Sequence, residues 1–560
     1  MQPKSGAYRS AAIRLSLIVL LIAAVIATAL LASVPPVSRD ALTHHLAVPR
    51  LYLKHGGIYE IPHLNFSYYP MNLDLLYIIP LYFKNDILPK FIHFAFALAT
   101  AAMLARYLHR RINMEYALLG ALFFLTIPVV IRLSSTVYVD LGLVCFLFAS
   151  LLFLFRWMES GFKPGYLLIS AVFCGLGLGT KYNGLVGLFL LGLFVAFVYA
   201  RYHKGEKHLS LRSTGWCAAF VMAALLVFSP WMIRNFVWTG NPVYPLYKDA
   251  FKAENKSTEL TPNTRSEAKS RMSHIQIRRK IFGESWGGIA LIPVRVFFQG
   301  KDDNPRYFDG KLTPFLLFLP GLAFLGIRCA DRREKSEKFM MLLFSVLFLL
   351  YACAQTSIRI RYFSPILPPL VILSMFGLYN LQARILQTTH GISNVLKKTA
   401  IFGVIVAMLG FNAVYMAERF QQDQPTAYIS GDITRNQYLQ RFRPEYASFQ
   451  YANRNLHRND KILGLYIGNR GYYSDIPIEF SMEILQKIAA KTDSGKAAAE
   501  ILLDKGFTHL LLNFSLFSQL ALEYSPHEKK VLKEFFEDYT VIKFSEDGYG
   551  LLLLKREAKR

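Results

Sequence analysis

Apolar residues in this chain fall in long blocks that recur from the N-terminus to about residue 417. Eleven blocks predict membrane-spanning helices: 14–34, 88–106, 115–131, 138–156, 165–180, 183–200, 214–234, 312–328, 338–356, 361–380 and 399–417. Each runs for about 17–23 residues with few charges, enough to cross a hydrocarbon layer ~30 Å thick as a helix. Tyr and Trp gather near block ends, where amphipathic rings settle at the lipid–water boundary. The first block follows Lys4, Arg9 and Arg14, as a secretory signal would, but it is longer than a signal's apolar core. A retained helix is expected.

The pattern changes between the blocks. In 35–87, Leu42, Leu46 and Leu53 share a helical face with Tyr52 beside them, and MNLDLLYIIPLYF (71–83) is apolar but short. Both pieces predict helices lying in the membrane interface. The loop 235–311 contains KAENKSTELTPNTRSEAKSRMSH (252–274), polar and poor in aromatics, expected to be mobile and to order on substrate binding. After residue 418 the character shifts again. KILGLYIG (461–468) and THLLLNF (508–514) read as strands, while 434–456, 481–491 and 495–507 read as helices. That alternation predicts a small α/β domain over 418–560, following a membrane domain over 1–417.

Charge then sets an orientation. The formal net charge is +25, and Lys and Arg crowd the short connections RYLHRR (106–111), RYHKGEKHLSLR (201–212) and RCADRREKSEK (328–338). This is the positive-inside pattern rather than a nucleic-acid footprint. It places the N-terminus and these loops in the cytoplasm, and 35–87, 235–311 and everything after 418 outside. The cysteines, at 145, 174, 217, 329 and 353, form no CxxC and lie in or beside apolar blocks. They read as small buried hydrophobes, not as a disulfide framework or zinc site. GLGLGTK (175–181) ends an apolar helix and lacks the strand and spacing of a phosphate loop.

With that orientation, candidate chemistry collects at one membrane face. Asp40 follows the first span and Asp140 opens the fourth. Lys181 and Tyr182 follow the end of the fifth, Arg234 ends the seventh, Arg359 precedes the tenth, and Arg361 and Tyr362 open it. Two carboxylates and four cations suit a lipid phosphate carrying a sugar. Lys and Arg stabilise a leaving phosphate, apolar helices take the isoprenoid tail, and a carboxylate deprotonates an acceptor hydroxyl. Such a base must stand apart from those cations, so some separation is expected. Each residue also has a plainer role: Asp40 as a solvated turn, Asp140 as a favourable charge at a helix N-terminus, Lys181 as a snorkelling side chain. His44 and His45 could shuttle protons or simply hydrogen-bond. Trp231 and Trp238 suit interface anchors.

SRDALTHHLAVPRLYLKHG (38–56), Asp140, GLGLGTKYNGL (175–185), RNFVWTGNPVYPLY (234–247) and RYFSPILPP (361–369) together resemble the GT-C glycosyltransferases, the protein mannosyltransferase and lipid A aminoarabinose transferase superfamily. The resemblance implies a bacterial inner-membrane enzyme that passes a sugar from an undecaprenyl-phosphate-type donor to an envelope acceptor on the periplasmic side. It implies Asp40 at the catalytic centre, while the residues themselves suggest Asp140 beside it, orienting a cation or the acceptor, and a donor phosphate held by Lys181 with Arg359 or Arg361, Arg234 being a further candidate. His44, His45, Tyr182, Asn241 and Tyr362 are supporting candidates. Some relatives use a divalent cation, Mg or Mn, for which Asp40, Asp140 and His45 would be the ligands. Ala41 stands where many relatives carry a second acid, and His44-His45 where many carry Tyr-His. A transporter of lipid-linked sugars is the rival reading, but it calls for ionisable residues near the midplane and internal repeats, and the sequence shows neither. A structural subunit of an envelope complex leaves the clustered charges unexplained.

Overall fold

The structure, a computed structural model, describes residues 4–248, 250–251, 273–355, 358–388 and 392–557. The stretch 252–272, and with it the expected ordering on substrate binding, lies outside the described residues. Every apolar block carries helix. The first ten helices are α1 (Lys4–Ala32), α2 (Ala47–His55), α3 (Asn72–Tyr82), α4 (Leu88–Arg111), α5 (Met114–Thr126), α6 (Pro128–Ser134), α7 (Asp140–Glu159), α8 (Pro164–Leu178), α9 (Gly184–Tyr202) and α10 (Leu209–Thr239). Among the described residues eight helices are long and apolar enough to span a membrane, or nine with one bent pair. The chain is a multi-pass membrane protein.

The eleven expected spans and these eight or nine differ for local reasons. Block 115–131 breaks at Pro128, which has no N–H to donate and forces Ile127 out of the helical region (φ −55°, ψ 130°). The result is α5 and α6, bent by 66°. Block 165–180 is held to a short helix by Pro164 at its start and the Gly179 cap at its end. Block 312–328 forms α-helix only over Phe315–Leu322, with Pro320 inside it and Gly326 at φ 75° before a 3-10 turn at Ile327–Cys329. Short, interrupted helices are tolerated where neighbouring protein covers the freed backbone groups.

Helix α7 sits at the centre. It is apolar on nearly every side, as a helix surrounded by others must be, and it packs against α4, α8 and α9. Small residues let its neighbours close in: a Cβ added at Gly175 of α8 would come within 2.5 Å of the Ala224 carbonyl of α10. The basic connections meet at the far end of α7, where Arg111 pairs with Glu159 and Glu337 and Arg332 stacks on Tyr202. The near end gathers the first residues of α7, the α8–α9 break, the loop after α1 and the turn Ile360–Ile366.

Leu42, Leu46 and Tyr77 are buried, packed with Leu73, Val137, Val139 and Tyr472. The two short helices expected in 35–87 thus exist as α2 and α3; one apolar side packs on protein, while Leu76, Ile79, Tyr82 and Phe83 in and beside α3 stay exposed, as helices lying in the interface require.

The C-terminal region holds a five-stranded sheet in the order β2-β1-β3-β5-β4, from β1 (Ile462–Leu465), β2 (Ile478–Phe480), β3 (His509–Asn513), β4 (Thr540–Glu546) and β5 (Tyr549–Leu554). Strand β1 pairs parallel with β2 and β3, while β5 runs antiparallel to β3 and β4. The expected strands are β1 and β3. The β4–β5 hairpin was not read from the sequence, although Asp547-Gly548, both at positive φ, is a strong two-residue turn signal. The expected helix 434–456 is split at Pro444 into Arg435–Phe442 and Tyr446–Asn455. The last membrane helix continues to Asp423, past the boundary expected at 417.

Candidate functional site

Local structure sets the site residues where three chain breaks meet. Pro35-Pro36 ends the path from α1, and Asp40 follows in a turn leading into a wide helical turn, Ala41–His45. Gly179 ends α8, and the Lys181 amide donates to the Gly177 carbonyl (3.1 Å), holding Lys181 in the gap before α9. Arg361 lies in the tight turn Ile360–Ile366. Asp140 opens α7, where unpaired backbone N–H groups favour a carboxylate.

These groups form one alternating chain of charge. Lys181 Nζ donates to Asp140 Oδ1 (2.6 Å). The other Asp140 oxygen lies 4.0 Å from Arg361 Nη1, and Arg361 Nη2 donates to Asp40 Oδ2. Arg359 is 3.7 Å from Asp40 and 3.6 Å from Asp309. The Tyr362 ring lies under Lys181 and beside Arg361, with centroid distances of 4.9 and 5.4 Å. The expected separation of base from cations is therefore absent: Asp40 bonds Arg361 directly, because the turn after α1 and the Ile360–Ile366 turn abut. Burial works to raise the Asp40 pKa, but Arg361, His44 and Arg359 outweigh it and hold the carboxyl well below the usual carboxylate range.

A cavity of about 770 Å³ opens beside this chain. Asp40, His44, His45, Lys181, Tyr182, Arg361 and Tyr362 all reach its wall. Asp140 does not; it is 1% exposed and holds Lys181 and Arg361 from behind. Part of the wall is apolar, with Leu185, Val186 and Phe189 from α9. Phe189 is 64% exposed, so that wall reaches the outer surface of the bundle.

Some expected residues fall elsewhere. Arg359 is absent from the cavity wall and bridges Asp40 to Asp309. Arg234 does not reach the cavity. It donates to the Tyr68 and Tyr69 carbonyls (2.7 and 3.1 Å) and is held between Trp231 and Trp238, at 4.5 and 4.8 Å from the ring centroids. Trp231 is buried and donates its Nε1–H to Asn72 Oδ1 (2.8 Å), so it is no surface anchor, while Trp238 is half-buried. Asn241 donates to the Leu246 carbonyl (2.8 Å) and accepts from the Val243 amide (2.9 Å), shaping the turn that brings Leu246 and Tyr247 to the cavity.

Sequence reasoning missed Asp74. It lies in α3, is 3% exposed, and faces the cavity with its Oδ1 2.7 Å from His45 Nδ1. Burial raises Asp74 to about 7, and burial first of all lowers His45 to about 3. Below about pH 7, therefore, a protonated carboxyl donates to a neutral imidazole. In the unfolded chain the same proton sits on the imidazole, so between about pH 4 and 6.5 the pair binds equal numbers of protons folded and unfolded. Asp74→Asn removes that balance. A His45 buried neutral then contributes stability that is present above 6.5 and lost as pH falls below it. We expect the melting temperature of Asp74→Asn to fall between pH 7 and 5 more steeply than that of the native protein. Parallel curves would refute the proton's placement.

No cluster of three His, Cys, Asp or Glu side chains suited to a metal ion occurs among the described residues. Asp40 and Asp140 are engaged by Arg361 and Lys181, and His45 by Asp74, so these side chains do not fit a resident divalent cation.

The C-terminal region grips the Asp40 loop. Tyr473 Oη donates to the Pro36 carbonyl (2.8 Å), Arg443 Nε to Val37 O (2.5 Å), and the Tyr472 amide to Leu42 O (3.2 Å). Arg50 returns the contact, donating to the Tyr472 and Ser474 carbonyls.

The architecture matches known proteins. The profile of the dolichyl-phosphate-mannose-protein mannosyltransferase family matches residues 83–233. The structure of ArnT from Cupriavidus metallidurans bound to undecaprenyl phosphate superposes with TM-score 0.56 at 14% identity, covering 96% of this chain and 97% of that one. The oligosaccharyltransferase AglB from Archaeoglobus fulgidus, solved with an inhibitory peptide and a dolichol-phosphate, superposes with TM-score 0.51 at 10% identity, covering 96% and 74%. No curated protein sequence matches. The chain has the GT-C superfamily glycosyltransferase fold, and its C-terminal sheet forms part of the same match.

Proposed function

We propose that this protein is an integral-membrane glycosyltransferase that moves a sugar from a polyprenyl-phosphate-linked donor to an acceptor on the periplasmic face of a bacterial inner membrane. One observation carries the reading: Asp40, Lys181 and Arg361 share a cavity that is also lined by apolar residues of α9, one of which, Phe189, reaches the bundle surface. That arrangement suits a phosphate head group with a long hydrocarbon tail. ArnT, solved with such a lipid phosphate, supports it by fold.

In this mechanism the acceptor oxygen attacks the anomeric carbon while the bond from that carbon to the phosphate oxygen breaks. The proton of the acceptor hydroxyl goes to Asp40, and the electron pair leaves with the polyprenyl phosphate. Lys181 and Arg361 meet the negative charge that grows on the phosphate. One Arg361 donor, Nε, is buried without a hydrogen-bond partner, leaving a place for an anion. A phosphate that recruits Arg361 also loosens its hold on Asp40. Donor binding then raises the basicity of the carboxylate when the base is needed. Displacement is direct and inverts the anomeric centre. His45 and Asp74, as a neutral pair, shape the polar wall.

The C-terminal region, in this reading, positions the catalytic loop. Tyr473→Phe removes one hydroxyl from the Asp40 loop and leaves the ring in place. We expect kcat to drop about 3- to 10-fold with the donor KM little changed, in line with one net hydrogen bond. An unchanged kcat would argue against the brace.

The function is tested with purified protein and a radiolabelled polyprenyl-phosphate sugar in detergent. Label passing to a new product with inverted configuration supports the reading. A product with retained configuration, or label moved between leaflets of a vesicle without any product, overturns it.

A further inference from the structure

The end of the bundle opposite the candidate site holds a second cavity, of about 720 Å³, between α4, α7, α8 and the helix Arg332–Cys353. Arg106, Arg110, Arg111, Arg156 and Arg333 line it, against a single carboxylate, Glu159.

Glu159 is already shared by Arg111 (2.5 Å), Arg156 (2.6 Å) and Arg333 (3.9 Å). Glu337, buried beneath, takes Arg111, Arg333 and the Tyr107 hydroxyl. Among the described residues Arg106 and Arg110 have no carboxylate partner, and Arg333 Nε is buried without a hydrogen-bond partner. Like charges at this density repel, and an anion between them relieves the repulsion.

The facing helices grade in the same sense. On α4, Met103, Arg106, Tyr107 and Arg110 stand at i, i+3, i+4 and i+7, one stripe of the helix. On α7, Ala149, Leu152, Phe153 and Arg156 repeat that spacing. Both stripes pass from apolar to arginine toward the end of the bundle. A crevice that is cationic at the rim and apolar a turn or two deeper fits a phosphate head with its acyl chain below it. Basic pockets between membrane helices hold anionic head groups in this way.

We propose that this crevice binds the head group of an anionic diacyl phospholipid from the leaflet at that end, apart from the donor site. The guanidinium groups of Arg106 and Arg110 contact the lipid phosphate, and an acyl chain lies over Met103, Leu152 and Phe153.

The test uses the full-length protein in zwitterionic detergent micelles, with phosphatidylglycerol, phosphatidylcholine or inorganic phosphate added. Lipid retention is read by native mass spectrometry and stability by melting temperature. Phosphatidylglycerol should be retained and should raise the melting temperature, with an effect that weakens as salt increases, whereas the other two should do neither. Arg106→Gln with Arg110→Gln should weaken retention about thirtyfold, about fivefold per guanidinium. Arg110→Gln alone gives the same direction should the double variant fold poorly. Equal retention by variant and native protein overturns the proposal. Equal protection by inorganic phosphate overturns it too, since that would mark an anion site that ignores the lipid.

Discussion

Asp40→Asn should lower the rate of sugar transfer by ~10²–10⁴ while the protein still folds. The amide keeps the shape of the carboxylate and can still accept from Arg361, so the turn after α1 is retained. What it loses is the capacity to take a proton from the acceptor. The donor should bind at least as tightly, because Arg361, no longer facing a full negative charge at Asp40, is freer for phosphate. A fall in kcat with an unchanged or smaller donor KM is therefore the signature of a lost base. A lost phosphate contact would raise KM instead. The native acid limb of kcat/KM should lie well below the usual carboxylate range, since the neighbouring cations keep Asp40 ionised in the free enzyme. Full turnover by a normally folded Asp40→Asn protein, measured by single-turnover transfer from labelled donor, removes Asp40 from the chemistry.

Asp140→Ala should be the most destabilising single change at the site, by ~3–5 kcal/mol. Asp140 is 1% exposed and bonds Lys181 at 2.6 Å, with Arg361 4.0 Å from its other oxygen. Truncation leaves two cations facing each other in a buried space with no anion between them. Breaking one half of a buried pair costs more than the pair is worth, because the survivor stays desolvated. The double variant Asp140→Ala with Lys181→Met should therefore recover part of the loss, although it stays inactive for want of a phosphate ligand. Thermal unfolding in detergent, read by tryptophan fluorescence, measures both. A single variant that melts with the native protein would show that Lys181 and Arg361 do not depend on this carboxylate.

The site was only partly legible in the sequence. Asp40, Lys181 and Arg361 could be listed together because block periodicity and loop charge placed them at one face. Asp74 was missed since MNLDLLYIIPLYF reads as an apolar interfacial helix, and one acid in it gives no sign that His45 will cover it. Arg234 was expected at the phosphate because it ends a span at the right face. The Trp231 and Trp238 rings and two backbone carbonyls claim it instead, and such claims depend on side-chain directions that spacing does not carry. The Arg359 and Arg361 pair looked equivalent, yet Arg359 is still extended backbone while Arg361, two residues on, lies in the tight turn, so one faces Asp309 and the other the cavity.

The sequence by itself determined that the chain crosses a membrane many times, which blocks carry helix, though not all of their ends or breaks (α1 starts at Lys4 rather than 14, and the block 115–131 bends at Pro128), and that a small α/β region follows. Block length, proline and glycine positions and loop charge are local properties, and they answer to the bilayer before any tertiary contact forms. Only the tertiary structure decided that Asp40 meets Arg361 and Asp140 meets Lys181, that His45 is covered by Asp74, and that the C-terminal sheet braces the loop after α1. Those pairs join segments up to 437 residues apart. Packing of the whole bundle fixes such distances, and the charge each residue carries depends on them.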